Sequence, residues 1–293
     1  MTATTSVTPR TSTYANHKLS FWGVLRSEAL KFRTLTTNWV MTLVIGAVLV
    51  LLALAVGAAI NQLYSYTTDP QLAADAAERG AMPQSVEGIV DMAYGLGGSG
   101  MQLACMLIAS VAVVFIASEY ATHQINTTLT AVPKRSMVYL AKLIIVSIYA
   151  FVIGFVFAAI SYFVGLMLVN DNIANQVDFN SGVVMNWLGV AIFSMLMAWM
   201  GLGFGALLRN NAGGIVLVVV LMFVISLVFM MFPWEWATDF AKYLPMAMGE
   251  TIIGYGLPDD AEIGYVQAGG ILALWSAIPA LLGYLRFRFT DPK

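Results

Sequence analysis

Histidine and cysteine are nearly missing from this chain, and their scarcity removes much of enzyme chemistry at the outset. His17, His123 and Cys105 are its only residues of these types, too few and too scattered for a zinc site. A lone cysteine forms no intrachain disulfide. A phosphate loop is also missing: Gly95 to Gly100 has no lysine near it, so the chain has no P-loop of its own for ATP hydrolysis. Charge is scarce as well. Charged residues make up 10% of the chain against 59% hydrophobic ones, which leaves little material for a separate soluble domain. No basic patch is large enough to suggest nucleic acid as a partner. We therefore expect no catalytic residue, bound metal or cofactor in this chain itself.

What the chain has in abundance is long apolar runs. Six of them, about 39–60, 99–117, 142–169, 185–207, 212–232 and 266–285, reach the roughly 20 residues a bilayer-spanning helix needs. The expected fold is an all-α polytopic membrane protein. Residues 1–19, rich in Thr and Ser, read as a disordered tail, and 20–293 as a single six-span domain. The charges flanking the runs are sorted by sign. With the N-terminus inside, only Arg79 and Lys242 of the basic residues fall outside, whereas only Glu28, Glu119 and Asp291 of the acidic ones fall inside. The positive-inside bias then predicts both termini in the cytoplasm.

Between tail and first span, residues 20–37 place Phe21, Leu25, Phe32 and Leu35 on one helical face and Arg26, Ser27, Arg33 and Thr34 on the other. That pattern predicts an interfacial helix on the cytoplasmic leaflet. Glu28 falls on its apolar side and needs a partner, which Lys31 supplies one turn later. A further helix is expected at Pro70 to Arg79, and a tight turn at Arg209 to Asn211 joins spans four and five. Residues 233–265 hold Trp234, Trp236, Phe240 and Tyr243 and are too apolar for a solvated loop, so external re-entrant helices between spans five and six are predicted.

Three functional readings compete. Ser99, in Gly97 to Gly100, opens the second span in the manner of an intramembrane serine protease, but a serine nucleophile needs a general base. His123 lies about 24 residues, or roughly 36 Å of helix, away. An ion-coupled secondary carrier is expected to keep an ionisable residue inside the bilayer, where a charge costs at least ~2.5 kcal/mol, and the span interiors show none. Their polar residues are serines such as Ser110, Ser147, Ser161, Ser194 and Ser226, which commonly back-bond to the helix. The third reading rests on residues 119–129, which continue the second span as a short polar cytoplasmic helix before Pro133, suited to pressing into a soluble partner.

Here the residues resemble a family. Ser27, Glu28, Lys31 and Arg33 are similar to the pre-span segment of the membrane subunits of type-two ABC exporters, especially the six-span actinobacterial kind. Glu119, Tyr120, Ile125, Thr128 and Leu129 resemble that family's coupling segment, with His123 standing where it usually has Gly and Asn126 where it often has Arg. Pro133, Lys134, Arg135 and Lys142 look like its basic sequel. Gly201, Gly205, Leu207, Leu208 and Arg209 resemble its hairpin between spans four and five, and Tyr243, Leu244 and Pro245 its external re-entrant segment.

The resemblance implies a permease subunit in a bacterial plasma membrane. It would pair with a second permease chain, the same or related, and engage a separate cytoplasmic ATP-binding subunit that carries the ATP and Mg. Glu119, Tyr120, His123, Gln124, Asn126 and Leu129 are then the candidates for coupling to that ATPase, and Arg26, Glu28, Lys31 and Arg33 the interfacial helix beside it. Phe151, Phe155, Tyr162 and the Gly201/Gly205 pair are candidates for the pathway or an interface. Seventeen methionines suit an adaptable pathway for an amphipathic drug, lipid or peptide.

Overall fold

A chain crossing hydrocarbon must satisfy its own backbone polar groups, and among single segments only a helix does so. The computed structural model describes residues 19–78, 84–232, 234–255 and 261–291. It is helical, with no strand among the described residues. Residues 1–18 of the expected tail, with Arg10, His17 and Lys18, lie outside them, as do Arg79, Asp259, Asp260 and Lys293.

Six helices are long and apolar enough to cross a membrane, matching the six runs in number and order. Helix α1 (Phe21–Thr34) precedes α2 (Thr36–Thr68), the first of the six; α3 (Pro70–Glu78) and α4 (Val86–Tyr94) lead through a 3₁₀ turn at Gly95–Gly98 into α5 (Met101–Ala121). Short α6 (Gln124–Ala131) joins α5 to α7 (Arg135–Leu166), and α8 (Asp171–Ala174) leads to α9 (Ser181–Leu208). The fifth long helix is α10 (Asn211–Val219), a π-helical turn at Val220–Val224 and α11 (Ile225–Met230). Finally α12 (Glu235–Ala241) and α13 (Pro245–Ile253) precede α14 (Tyr265–Phe289).

Several helix ends depart from the apolar runs, and at α1, α9 and α10 a capping side chain sets the start. Ser20 accepts a bond from the Gly23 N–H at 3.1 Å and starts α1. Asn180 accepts from Gly182 and Val183 and starts α9, while Asn210 accepts from Gly213 and turns α9 tightly into α10. Helix α2 runs eight residues past the expected end of its span, to Thr68, and α7 begins at Arg135, seven residues before the expected start of its own. The expected helix over 119–129 is in fact two, broken at Thr122 and His123.

Arg26, Arg135, Arg209 and Arg288 gather at one end of the bundle, the basic end; Asp69, Asp171, Asp239 and Glu262 mark the other. Helix α9 is the axis. About 78% of its most apolar stretch is buried, against 17–33% in α2, α7, α10–α11 and α14, and it packs on α5, α7, α10 and α14. Small residues make those contacts possible. A Cβ on Gly201 would sit 2.2 Å from the Ala109 carbonyl oxygen of α5, and one on Gly203 would sit 2.3 Å from the Pro279 carbonyl carbon of α14. Gly205 faces Val113 and Ile116 of α5, so the Gly201/Gly205 pair serves a contact within the chain.

Gly201→Ala should therefore cost about 1–3 kcal/mol through overpacking against backbone that cannot step aside. Gly269→Ala, where nothing lies within 4 Å of the added carbon, should leave stability unchanged or slightly raised. Thermal unfolding in detergent compares the two, and equal midpoints would remove the close α5–α9 approach from the account.

Candidate functional site: a buried charge cluster at the basic end

Sequence reasoning places Lys142 at the flank of a span and finds no ionisable group inside any. Because α7 starts at Arg135, Lys142 instead lies two turns inside it, with no solvent exposure. Glu119, near the end of α5, is 5% exposed, and Glu28 on α1 is 2% exposed. These three groups meet. Lys142 Nζ lies 2.7 Å from Glu28 Oε2 and donates to Glu119 Oε1 at 2.8 Å. Lys31 Nζ donates to Glu28 Oε1 at 2.6 Å, to Glu119 Oε1 at 3.2 Å and to Thr128 Oγ1 at 3.0 Å.

Two ammonium groups and two carboxylates thus form a neutral cluster linking α1, α5, α6 and α7. Neutrality is what lets charges persist in a poorly solvated interior, since an unpaired one would be strongly destabilising. An apolar wall closes the cluster: Lys142 Nζ sits 4.1 Å from the centre of the Phe115 ring, and Phe32 packs edge-on to Phe115 and Tyr149. Burial pulls the Lys31 ammonium down, but its bonds to Glu28 and the charges of Glu119 and Glu28 outweigh this and leave it above the ordinary lysine range. Glu28 has the expected Lys31 partner. Lys142 and Thr128 were missed, and the signal for Lys142 was a single lysine with apolar residues on both sides.

Beside the cluster, α5 turns sharply into α6. His123 holds φ +56°, a left-handed conformation that glycine adopts freely and other residues adopt at a cost of about 1–2 kcal/mol. Past this corner Ile125 is buried and Leu129 half-buried, while His123, Gln124, Asn126 and Thr127 are exposed. Tyr120, half-buried, lies under the Arg209 guanidinium, 4.9 Å away, and edge-on to Phe287. Arg209 donates to the carbonyls of Thr290 and Asp291 at 2.8 and 2.7 Å, and Arg135 pairs with the Asp291 carboxylate. The corner is thereby fastened to α7, α9 and the end of α14. Arg26 and Arg33 stay on the exposed side of α1.

The remaining candidates lie toward the acidic end. Phe155 and Tyr162 of α7 pack edge-on against Trp187 of α9, with centroids 5.9 and 5.7 Å away, and Phe151 is half-buried on α7. Ser110, Ser147, Ser194 and Ser226 bond back to carbonyls four residues earlier, as serines in apolar helices do. Ser99 lines a cavity of about 370 Å³ with Gln102, Glu250 and Tyr255. Burial raises the Glu250 carboxyl above its usual range, although the Gln102 amide bonded to it pulls the other way. Among the described residues no histidine joins Ser99 there, because His123 stands beyond the far end of α5. Among the described residues no group of three or more metal-ligating side chains occurs.

Comparison with known proteins finds no family model and no curated protein that matches this chain.

Lys142→Met removes the central cation and leaves two buried carboxylates sharing only the half-exposed Lys31. The expected loss is about 3–5 kcal/mol, and adding Glu28→Gln should recover part of it; thermal unfolding that shows additive losses instead would dissolve the cluster as a unit. His123→Gly should be neutral or stabilising by up to about 1 kcal/mol by relieving the left-handed strain. His123→Val should destabilise, and the reverse order of midpoints would count against the strained corner.

Proposed function

We propose that this chain is the membrane-spanning permease subunit of an ATP-driven exporter of the type-two ABC kind. In this reading the six long helices cross a bacterial plasma membrane with the basic end and both termini in the cytoplasm. Helix α1 lies along the cytoplasmic leaflet, α12 and α13 dip into the outer one as re-entrant helices, and α6 is the coupling helix.

The observation that carries the reading is the attachment of α6. It is a short helix with an exposed polar face, set off from α5 by a left-handed corner and bound through Thr128 to the Lys31 ammonium. A push on that face is delivered through the charge cluster to α1, α5 and α7 together, rather than being absorbed in a loose connector. The sign sorting of charges supports the orientation, and the resemblance in Glu119, Tyr120, Ile125, Thr128 and Leu129 supports the class. Glycine at the family's equivalent of His123 fits the positive φ found there.

On this reading the roles of the coupling residues divide. Gln124, Asn126 and Thr127, with His123, form the face presented to a separate ATP-binding subunit, which holds ATP and Mg. Glu119 is buried and transmits rather than touches, with Tyr120 fastening the corner and Leu129 packing α6 down. A second permease chain, identical or related, completes the pathway. The substrate class is amphipathic, on the strength of the aromatic and methionine content.

Tagged chain purified in mild detergent from its native membrane should bring down a soluble P-loop polypeptide in a near one-to-one ratio, and the complex should hydrolyse ATP. Asn126→Glu with Thr127→Glu, which leave the cluster intact, should abolish or sharply weaken that association. Recovery of the chain alone from several detergents would overturn the reading.

A further inference from the structure

A groove of about 940 Å³ opens to the outside between α1, the start of α2 and the first half of α7. Its lining is largely apolar, with Phe32 buried and Ile148 exposed, and the polar groups within it are already bonded: Thr42 to Tyr149, and the Asn38 amide to the Phe32 carbonyl. Its rim is different. Arg26 and Arg33, seven residues apart and so on the same side of α1, both line it, with the exposed indoles of Trp22 and Trp39 beside them.

These two arginines are among the basic residues of this end that no carboxylate balances, and they are the two that line the groove. Its acidic residues are Glu28, Glu119 and Asp291; the first two are held by Lys31 and Lys142, and the third by Arg135. Among the described residues neither Arg26 nor Arg33 has an ion pair, and residues 1–18 contain no Asp or Glu. The rim therefore offers two guanidinium groups without an ion pair beside an apolar slot, flanked by two exposed tryptophans, a residue type enriched where headgroups meet acyl chains.

We propose that this groove is a binding site for one anionic glycerophospholipid, its phosphate held between Arg26 and Arg33 and an acyl chain lying against Phe32 and Ile148. Basic pockets between membrane helices select anionic headgroups, and guanidinium suits phosphate through paired hydrogen bonds. The inference rests on the membrane reading above but not on the ATP-binding partner or the orientation, because it concerns the isolated chain with lipid on both sides.

The test is native mass spectrometry of the purified full chain, delipidated and then incubated with equal amounts of phosphatidylglycerol and phosphatidylcholine. One phosphatidylglycerol should be retained per chain with a preference of roughly thirtyfold, the order expected for two cations at headgroup level. R26Q/R33Q should abolish that preference, whereas Arg288→Gln, at the same end but away from the groove, should keep it. I148W, which fills the slot while sparing both arginines, should reduce retention of either lipid. Glycerol phosphate should fail to displace the bound lipid; displacement by it would mean that a free phosphate is held and would overturn the lipid assignment. Equal retention of the two lipids by wild-type chain, an unchanged preference in R26Q/R33Q, or a dimer in which the groove is covered by a second copy would each overturn the proposal.

Discussion

Lys142 carries an ammonium group with no solvent contact, and its two carboxylate neighbours arrive from helices far apart in sequence. Taking such a group out of water is strongly unfavourable unless every charge is balanced at close range. Glu28 must therefore be on hand, which fixes where α1 rests, and Glu119 must be on hand, which fixes how far α5 runs before it turns. Lys31 then balances the second carboxylate and reaches Thr128, setting the register of α6. The packing of α1, α5, α6 and α7 at the basic end follows from one buried lysine.

The rest of the bundle supplies a rigid frame for that cluster. Apolar attraction between helices is weak in lipid, where the surroundings are as oily as the side chains, so close backbone approach has to do more of the packing. Helix α9 meets this need with glycines against Ala109 and Pro279. At the basic end Arg209, itself at φ +55°, ties the end of α9 to the carbonyls after α14 and to the Tyr120 ring. The α5–α6 corner is held from two sides, by ion pairs toward α1 and α7 and by Arg209 toward α9 and α14.

Much of this was legible in the chain because hydropathy acts over lengths of 20 residues and leaves a strong mark. The six long helices, their order, the tight turn after Arg209 and the Glu28–Lys31 pair all follow from runs and spacings. The rest depends on partners that a linear sequence does not reveal. Lys142 reads as a flank because a basic residue at the edge of an apolar run usually is one; only the earlier start of α7 buries it. Gly201 and Gly205 announce a close contact but not with which helix. His123 is compatible with an uninterrupted helix by propensity, and its left-handed backbone arises from packing on either side of the corner. Glu119 reads as an exposed coupling residue, whereas charge balance around Lys142 draws it inward.

The central claim is that the buried cluster fastens α1 to the bundle, and hydrogen exchange tests it most directly. Amide exchange along α1 and α9 is compared in wild-type chain and Lys142→Met under conditions where both remain folded. If the cluster is the fastening, the Val24 to Phe32 amides of the variant exchange faster by roughly tenfold or more, while α9 keeps its protection. Equal protection of α1 in the two proteins would contradict the account, leaving the apolar packing of Val24 and Phe32 as the sole attachment of that helix.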